Sequence, residues 1–106
     1  MMTPVHSFEI SGKGGGGLMG MFGGKPQLNL FDNGIGWTEG KEKVFVEFAK
    51  VTTLKFSKYY SVLSIAHSAT GAPQTKKMTL INIGMFETIW TDFARKKGLT
   101  LKLTAE

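Results

Sequence analysis

Residues 86–98 read FETIWTDFARKKG, and this stretch decides the fold because its apolar residues follow helical spacing while the chain before it follows strand spacing. Its large apolar side chains recur at i, i+3, i+4 and i+7, which is one face of an α-helix. They are Phe86, Ile89, Trp90 and Phe93. Glu87 in the first turn and basic residues 95–97 in the last turn suit the helix dipole, and Gly98 is a typical stop. We expect one amphipathic helix that closes an apolar core.

The chain before the helix alternates apolar and polar residues with the period of two that is typical of β-strands. The segments with this pattern are residues 5–10, 28–30, 35–38, 44–48, 51–56, 59–66 and 76–83. The triplet Asp32-Asn33-Gly34 predicts a hairpin, because Asn and Gly accept positive φ, and residues 69–73 predict another break. About seven short strands at this spacing favour an antiparallel sheet, a sandwich or a small barrel. Leucines at 99, 101 and 103 alternate with polar residues, so we expect a short terminal strand or an extended tail after the helix.

The length and composition indicate a single globular domain. A chain of 106 residues fits one domain, and we expect residues 1–106 to form it. With 42% hydrophobic and 20% charged residues, the composition is globular rather than disordered. The absence of cysteine excludes disulfides, a thiolate nucleophile and a cysteine-based zinc site. The net charge of +5 favours an anionic surface as partner without identifying it.

The sequence contains no evident targeting segment. Its start, MMTPVH, lacks the basic and long apolar regions of a signal peptide. A run of about 18 apolar residues, which would cross a membrane, does not occur. We therefore expect a cytoplasmic location.

Residues 11–26 are predicted to form a flexible loop, because eight of the fourteen glycines fall between Gly12 and Gly24. The loop contains an apolar cluster: Leu18, Met19, Met21 and Phe22. One interpretation is that these side chains fold back over the core of their own domain. The other is that they contact a protein or membrane partner, a role that suits the adaptable side chain of Met. This cluster is the candidate partner contact.

Three segments resemble the pleckstrin-homology-like (PH-like) superfamily, particularly its small bacterial members. Residues 28–35 (LNLFDNGI) look like the second strand and turn of that family. Residues 43–48 (KVFVEF) with Val51 look like the strand and turn before its sheet change, and residues 86–97 look like its capping helix. The resemblance covers residues 5–98 and implies a non-enzymatic binding module. Its implied fold is a partly open antiparallel barrel of about seven strands capped by the helix.

The resemblance also bears on the glycine-rich loop. In the PH-like family the loop between the first two strands commonly supplies phosphoinositide contacts. Here that loop contains Lys13 and Lys25, whereas Gln27 and Asn29 stand where the family has a further basic cluster. The resemblance therefore implies basic loop contacts without a specific inositol-phosphate site.

The sequence motifs of enzymes lack their required context. Residues 12–17 match G-x-G-x-x-G, yet residues 18–26 cannot form the helix that a dinucleotide site needs. The Walker pattern fails because Pro26 stands where Ser or Thr is required. His6 and His67 are far apart without carboxylates at ligand spacing, so each is interpreted as a surface or hydrogen-bonded strand histidine. We expect no catalytic residue, no cofactor and no metal site.

Lysines concentrate in the middle of the chain, where no acidic residue occurs between Glu47 and Glu87. This pattern predicts a positive face for phosphates on lipid, nucleic acid or protein. The alternative is a set of dispersed, solvated lysines that protect strand edges. Together with the loop lysines, the candidate anion contacts are Lys13, Lys25, Lys55, Lys58, Lys76 and Lys77. Aromatic residues 56, 59 and 60 are interleaved with the lysines as in single-strand nucleic-acid binders, but a strand core explains them too, so we do not expect a nucleic-acid partner.

These features predict a non-enzymatic PH-like binding module that contacts protein partners, or further copies of itself, through the apolar loop. The alternative is a peripheral binder of anionic lipid or phosphate that uses the loop and the central lysines.

Overall fold

The computed structural model describes residues 3–11, 26–39 and 42–106. These residues form eight strands in two four-stranded sheets, and one α-helix. The first sheet has the order β1-β2-β3-β4, with strands His6–Glu9, Gln27–Leu30, Gly34–Glu39 and Glu42–Glu47. The second sheet has the order β7-β6-β5-β8; in chain order its strands are Val51–Ser57 (β5), Val62–His67 (β6), Gln74–Thr79 (β7) and Leu103–Ala105 (β8). Helix α1 spans Ile83–Lys97 and lies between β7 and β8 in the chain.

The prediction of a mainly β fold with one helix near the C-terminus is confirmed. The strands of the first sheet pair antiparallel throughout, and so do β5, β6 and β7. The short strand after the helix is β8, which pairs parallel to β5. A 3-10 helical turn, Phe48–Lys50, leads from the first sheet into the second.

The apolar faces of both sheets and of α1 meet in one core. The helix contributes its buried residues Ile83, Phe86, Trp90 and Phe93. The ring of Phe86 packs edge-on against Phe8 of β1 with 5.0 Å between centroids, and Trp90 packs against Phe48 at 5.8 Å. Trp90 is only 2% exposed, which confirms that the helix buries this side chain.

The helix begins earlier than its apolar stripe alone indicated. Asn82 caps it, since the backbone N–H of Met85 donates to Asn82 Oδ1 at 3.0 Å. The placement of Glu87 in the first turn was therefore wrong, because the helix already starts at Ile83. At the other end Gly98 adopts the left-handed conformation with φ of 69°, as expected for a glycine stop.

Three strand boundaries differ from the sequence predictions. Tyr59 and Tyr60 lie in the turn between β5 and β6, where Ser61 has a positive φ of 57°, instead of within a strand. Ile83 belongs to the helix, because the Asn82 cap ends the extended backbone before it. Phe48 leaves the alternation of β4 and enters the 3-10 turn.

The hairpin predicted at residues 32–34 is present, but its expected cause is not. Asn33 and Gly34 both lack a positive φ. Gly34 serves instead to leave space, since a Cβ there would lie 2.5 Å from Phe45 Cζ and 2.5 Å from the carbonyl oxygen of Val46. The β3 strand can pair with β4 at this point only because residue 34 has no side chain.

The two sheets meet along one edge without forming one continuous ladder among the described residues. The end of β1 reaches the end of β7 through an isolated antiparallel bridge between Ile10 and Leu80. Backbone hydrogen bonds extend it: Ser11 N–H donates to Thr79 O at 2.7 Å, and Ile81 N–H donates to Glu9 O at 3.1 Å. We call this junction the β1–β7 corner.

We expect Gly34→Ala to destabilise the fold by about 1–3 kcal/mol, because the new methyl group must displace a backbone carbonyl. The matched control is Gly84→Ala on α1, where a Cβ would meet nothing nearer than Asn82 Oδ1 at 3.6 Å. There the loss of unfolded-state entropy should stabilise the protein by about 0.4–1 kcal/mol. Urea denaturation of both variants measures the difference. Equal stability of the two would contradict the packing described at β3.

Candidate functional site

The predicted apolar contact cluster, Leu18, Met19, Met21 and Phe22, lies outside the described residues, as do Lys13 and Lys25. The two ends of their segment are described. Ile10 N–H donates to the carbonyl oxygen of Pro26 at 3.1 Å, and Ser11 is bonded to Thr79 of β7. The segment therefore leaves and re-enters the domain at the β1–β7 corner.

Exposed apolar side chains surround this corner. Tyr59 and Tyr60 in the β5–β6 turn are 88% and 70% exposed, and Ile81 is 60% exposed. The turn adjoins the corner because Leu80 N–H donates to Ser61 O at 2.8 Å. The sequence pattern did not predict this surface, because it places both tyrosines in a strand. The positive φ of Ser61, which ends that strand pattern, has no sequence signal as strong as Asn or Gly.

Two of the predicted anion contacts lie in one row on the outer face of the second sheet. Lys55 of β5 stands opposite Ser64 of β6, and Ser64 stands opposite Lys77 of β7. Thr104 of β8 continues the row beside Lys55. With strands 4.7–4.9 Å apart, the two lysines start about 10 Å from each other with a hydroxyl between them.

A shallow concavity of about 240 Å³ lies over this row. Its lining residues are Thr53, Lys55, Ser64, Ala66, Thr75, Lys77 and Glu106. The hydroxyl of Ser64 lies 3.4 Å from Glu106 Oε1, to which it donates. The surface thus combines the ammonium groups of Lys55 and Lys77 with threonine hydroxyls, donors that can bind the oxygens of a carboxylate or phosphate, and with the Glu106 carboxylate, which accepts the Ser64 hydroxyl. We call it the lysine row.

The other two described candidates are ion-paired away from this row. Lys76 Nζ lies 2.6 Å from Glu39 Oε1 and 3.2 Å from Glu42 Oε1, so it joins the second sheet to both ends of the β3–β4 turn. Burial lowers the pKa of Lys76, but the hydrogen bonds and charges of the two glutamates outweigh it and hold that pKa above the usual lysine value. Lys58 pairs with Glu87 at 3.3 Å.

The outer face of the first sheet carries an aromatic pair that the strand and loop patterns did not predict. Phe31 and Phe45 pack edge-to-face at 5.4 Å between centroids. They lie over β3 where it has Gly34 and Gly36, because a Cβ at either glycine would approach one of these rings. A concavity of about 450 Å³ adjoins the pair. The sequence signal for this aromatic pair is the alternation of Gly34 and Gly36, with Phe31 before them and Phe45 after them in the chain.

The two histidines have structural surroundings that agree with their interpretation from sequence. His67 is buried, its Nδ1 accepts from Ala69 N–H at 3.2 Å, and its ring lies 5.6 Å from that of Trp37. The ring of His6 packs edge-on against Phe93 at 6.2 Å. Within the described ranges there is no group of three or more His, Cys, Asp or Glu side chains that could hold a metal ion. No helix in the described part of the chain is long and apolar enough to cross a membrane.

In comparisons with known proteins, no family model matches the sequence, and no curated protein matches it.

The raised pKa of Lys76 implies a defined loss of stability at high pH. A lysine whose pKa is higher in the folded than in the unfolded state stabilises the fold at lower pH, and this contribution is lost as pH rises through the folded pKa. We expect the difference in unfolding free energy between wild type and Lys76→Gln to stay constant up to about pH 10 and to shrink as pH rises further. Denaturant titrations across this range measure it, with Lys77→Gln as the control for general charge effects. A difference that also stays constant at higher pH would contradict the ion-pair assignment.

Proposed function

We propose that this protein is a non-enzymatic binding module with a PH-like arrangement, which contacts a protein partner or another copy of itself through residues 11–26. A cytoplasmic setting is part of the same proposal. The observation that carries it is the anchoring of both ends of this segment at the β1–β7 corner, beside the exposed side chains of Tyr59, Tyr60 and Ile81.

The order of the elements supports the PH-like part of the proposal. Four antiparallel strands form the first sheet, the next three form the second, and the helix that follows packs on their common core. This is the succession that the resemblance implied, and β8 is an addition to it. The barrel itself remains the proposed interpretation of two sheets that meet at the β1–β7 corner.

The chemistry of the corner supports a protein partner. Tyrosine and methionine are enriched where proteins contact one another, and Met85 near the helix start is 44% exposed. The segment anchored here adds Leu18, Met21 and Phe22. Each such side chain can contribute about 1.5–3 kcal/mol when it is buried, which offsets part of the cost of about 1–2 kcal/mol for each residue of the segment that becomes fixed on binding.

The triple substitution Leu18→Ser/Met21→Ser/Phe22→Ser tests the proposal. Sedimentation velocity over a range of concentrations should show the triple variant associating more weakly than wild type, because the apolar contact through residues 11–26 is lost. Val5→Ser is the control, since Val5 is 47% exposed at the opposite end of β1. Identical monomers for wild type and the triple variant would exclude the self-association form. If the segment instead contacts a different protein, a photo-crosslinker at position 22 should capture that protein in cells, and a photo-crosslinker at position 5 should not.

A second candidate function is the binding of an anionic ligand, either a lipid headgroup or a free phosphate. The observation that favours it is the lysine row, in which Lys55 and Lys77 flank the Ser64 hydroxyl. These two lysines make no ion pair with any residue in the described ranges.

The double substitution Lys55→Gln/Lys77→Gln tests this candidate. Binding to vesicles with anionic phospholipid should weaken about thirtyfold, at about 1 kcal/mol for each lysine, and should fall as salt rises. The control Arg95→Gln/Lys96→Gln removes the same charge from the exposed end of α1 and should bind nearly as wild type. Titration with inorganic phosphate distinguishes a free phosphate from a headgroup. Equal losses in both double variants would show a net-charge effect and no site.

A further inference from the structure

The first sheet ends in a strand whose outer edge pairs with none of the described residues. β4 forms the last strand of the order β1-β2-β3-β4, and β3 is its only strand partner among the described residues. Its residues read EKVFVE, with Lys43 and Glu47 exposed and Phe45 partly exposed. An open edge presents backbone donors and acceptors that can pair with another strand.

The hydrogen-bond ladder shows which residues offer those groups. Phe48 N–H donates to Asn33 O at 3.1 Å, and in an antiparallel ladder bonded pairs recur at every second residue. Val46 and Val44 therefore direct their backbone groups towards β3. Lys43, Phe45 and Glu47 direct theirs away from it, to the open edge.

This edge is complementary to itself in one register. If two copies of β4 pair antiparallel with Phe45 opposite Phe45, Lys43 of each copy stands opposite Glu47 of the other. Neither Lys43 nor Glu47 makes an ion pair with a described residue of its own chain. A shift of two residues in one direction removes both charge pairs, and the opposite shift places Lys41 in place of Lys43 opposite Glu47 but separates the two Phe45 residues. Charges usually protect an edge strand from pairing, but here Lys43 and Glu47 attract in the register that also places Phe45 opposite Phe45 and satisfies the backbone groups.

In the same register, the outer face of the sheet places apolar side chains at the centre of the interface. Phe45 packs on Phe31 above Gly34 and Gly36, next to the concavity of about 450 Å³. Pairing through β4 brings the Phe31–Phe45 pairs of both copies together on one surface. An interface with an apolar centre and a charged rim is typical of protein–protein contacts.

We propose that this protein forms a twofold-symmetric dimer by antiparallel pairing of β4 with β4 of a second copy. The pairing joins the first sheets of the two copies into one continuous sheet, held by Lys43–Glu47 pairs on both sides of the Phe45 contact. In a twofold interface the same patch serves both subunits, as this self-complementary strand requires. The dimer uses a surface separate from residues 11–26, so it extends the proposed function and does not depend on it.

Charge reversal tests the proposal. Lys43→Glu places two glutamates opposite each other at each end of the interface, and Glu47→Lys places two lysines there. Each single variant should self-associate about tenfold more weakly than wild type in sedimentation equilibrium. The double variant Lys43→Glu/Glu47→Lys should recover the wild-type dimer, because the charges are exchanged but still opposite.

An equimolar mixture of the two single variants provides the sharpest result. One copy then carries glutamate at both positions and the other carries lysine at both, so a heterodimer should form that neither variant forms alone. Both positions are exposed, and circular dichroism verifies that the variants fold. A wild-type monomer at about 100 μM, or a mixture no more associated than its components, would overturn the proposal. Association lost only in the triple variant of residues 18–22 would also overturn it while supporting contact through residues 11–26.

Discussion

The burial of one aromatic helix face is the interaction on which the rest of the structure depends. Phe86 and Trp90 lie with their ring centroids 6.2 Å apart, and they contact Phe8 of the first sheet and Phe48 of the turn between the sheets. Because α1 also follows β7 directly, its buried face fixes the second sheet relative to the first. An ion pair of 2.6 Å between Lys97 Nζ and Asp32 joins the other end of the helix to the β2–β3 turn.

The elements could be predicted from sequence wherever a local pattern determined them. The period of two and the helical stripe around Trp90 located most strands and the helix, and Gly98 located its end. Boundaries failed where a residue suits two structures. Ile83 has high strand propensity, yet it is the first residue of the helix that Asn82 caps. Tyr59 also favours strands, yet it lies in the turn that Ser61 forms with a positive φ. The local sequence alone does not show which of the two structures such a residue adopts.

The candidate surfaces could be predicted only in part, because they depend on strand order. Alternation along β7 places Lys76 and Lys77 on opposite faces of the sheet. Only the register between the strands places Lys77 in one row with Ser64 and Lys55. The pairing of Lys76 with Glu39 requires the two sheets to face each other, which no local pattern encodes. The two outer faces consequently differ in chemistry: the second sheet displays lysines and hydroxyls, whereas the first displays aromatic rings above glycines.

The hydrogen bond between Ile10 and Pro26 has a consequence for engineering. It closes the base of residues 11–26 beside the β1–β2 pairing, so all four paired positions of these strands lie on one side of that base. A foreign peptide inserted between these two anchors would add loop-closure entropy of only about 0.6 kcal/mol for each doubling of length. The two anchors therefore mark a position for peptide display at which an insertion leaves the pairing of β1 with β2 in place.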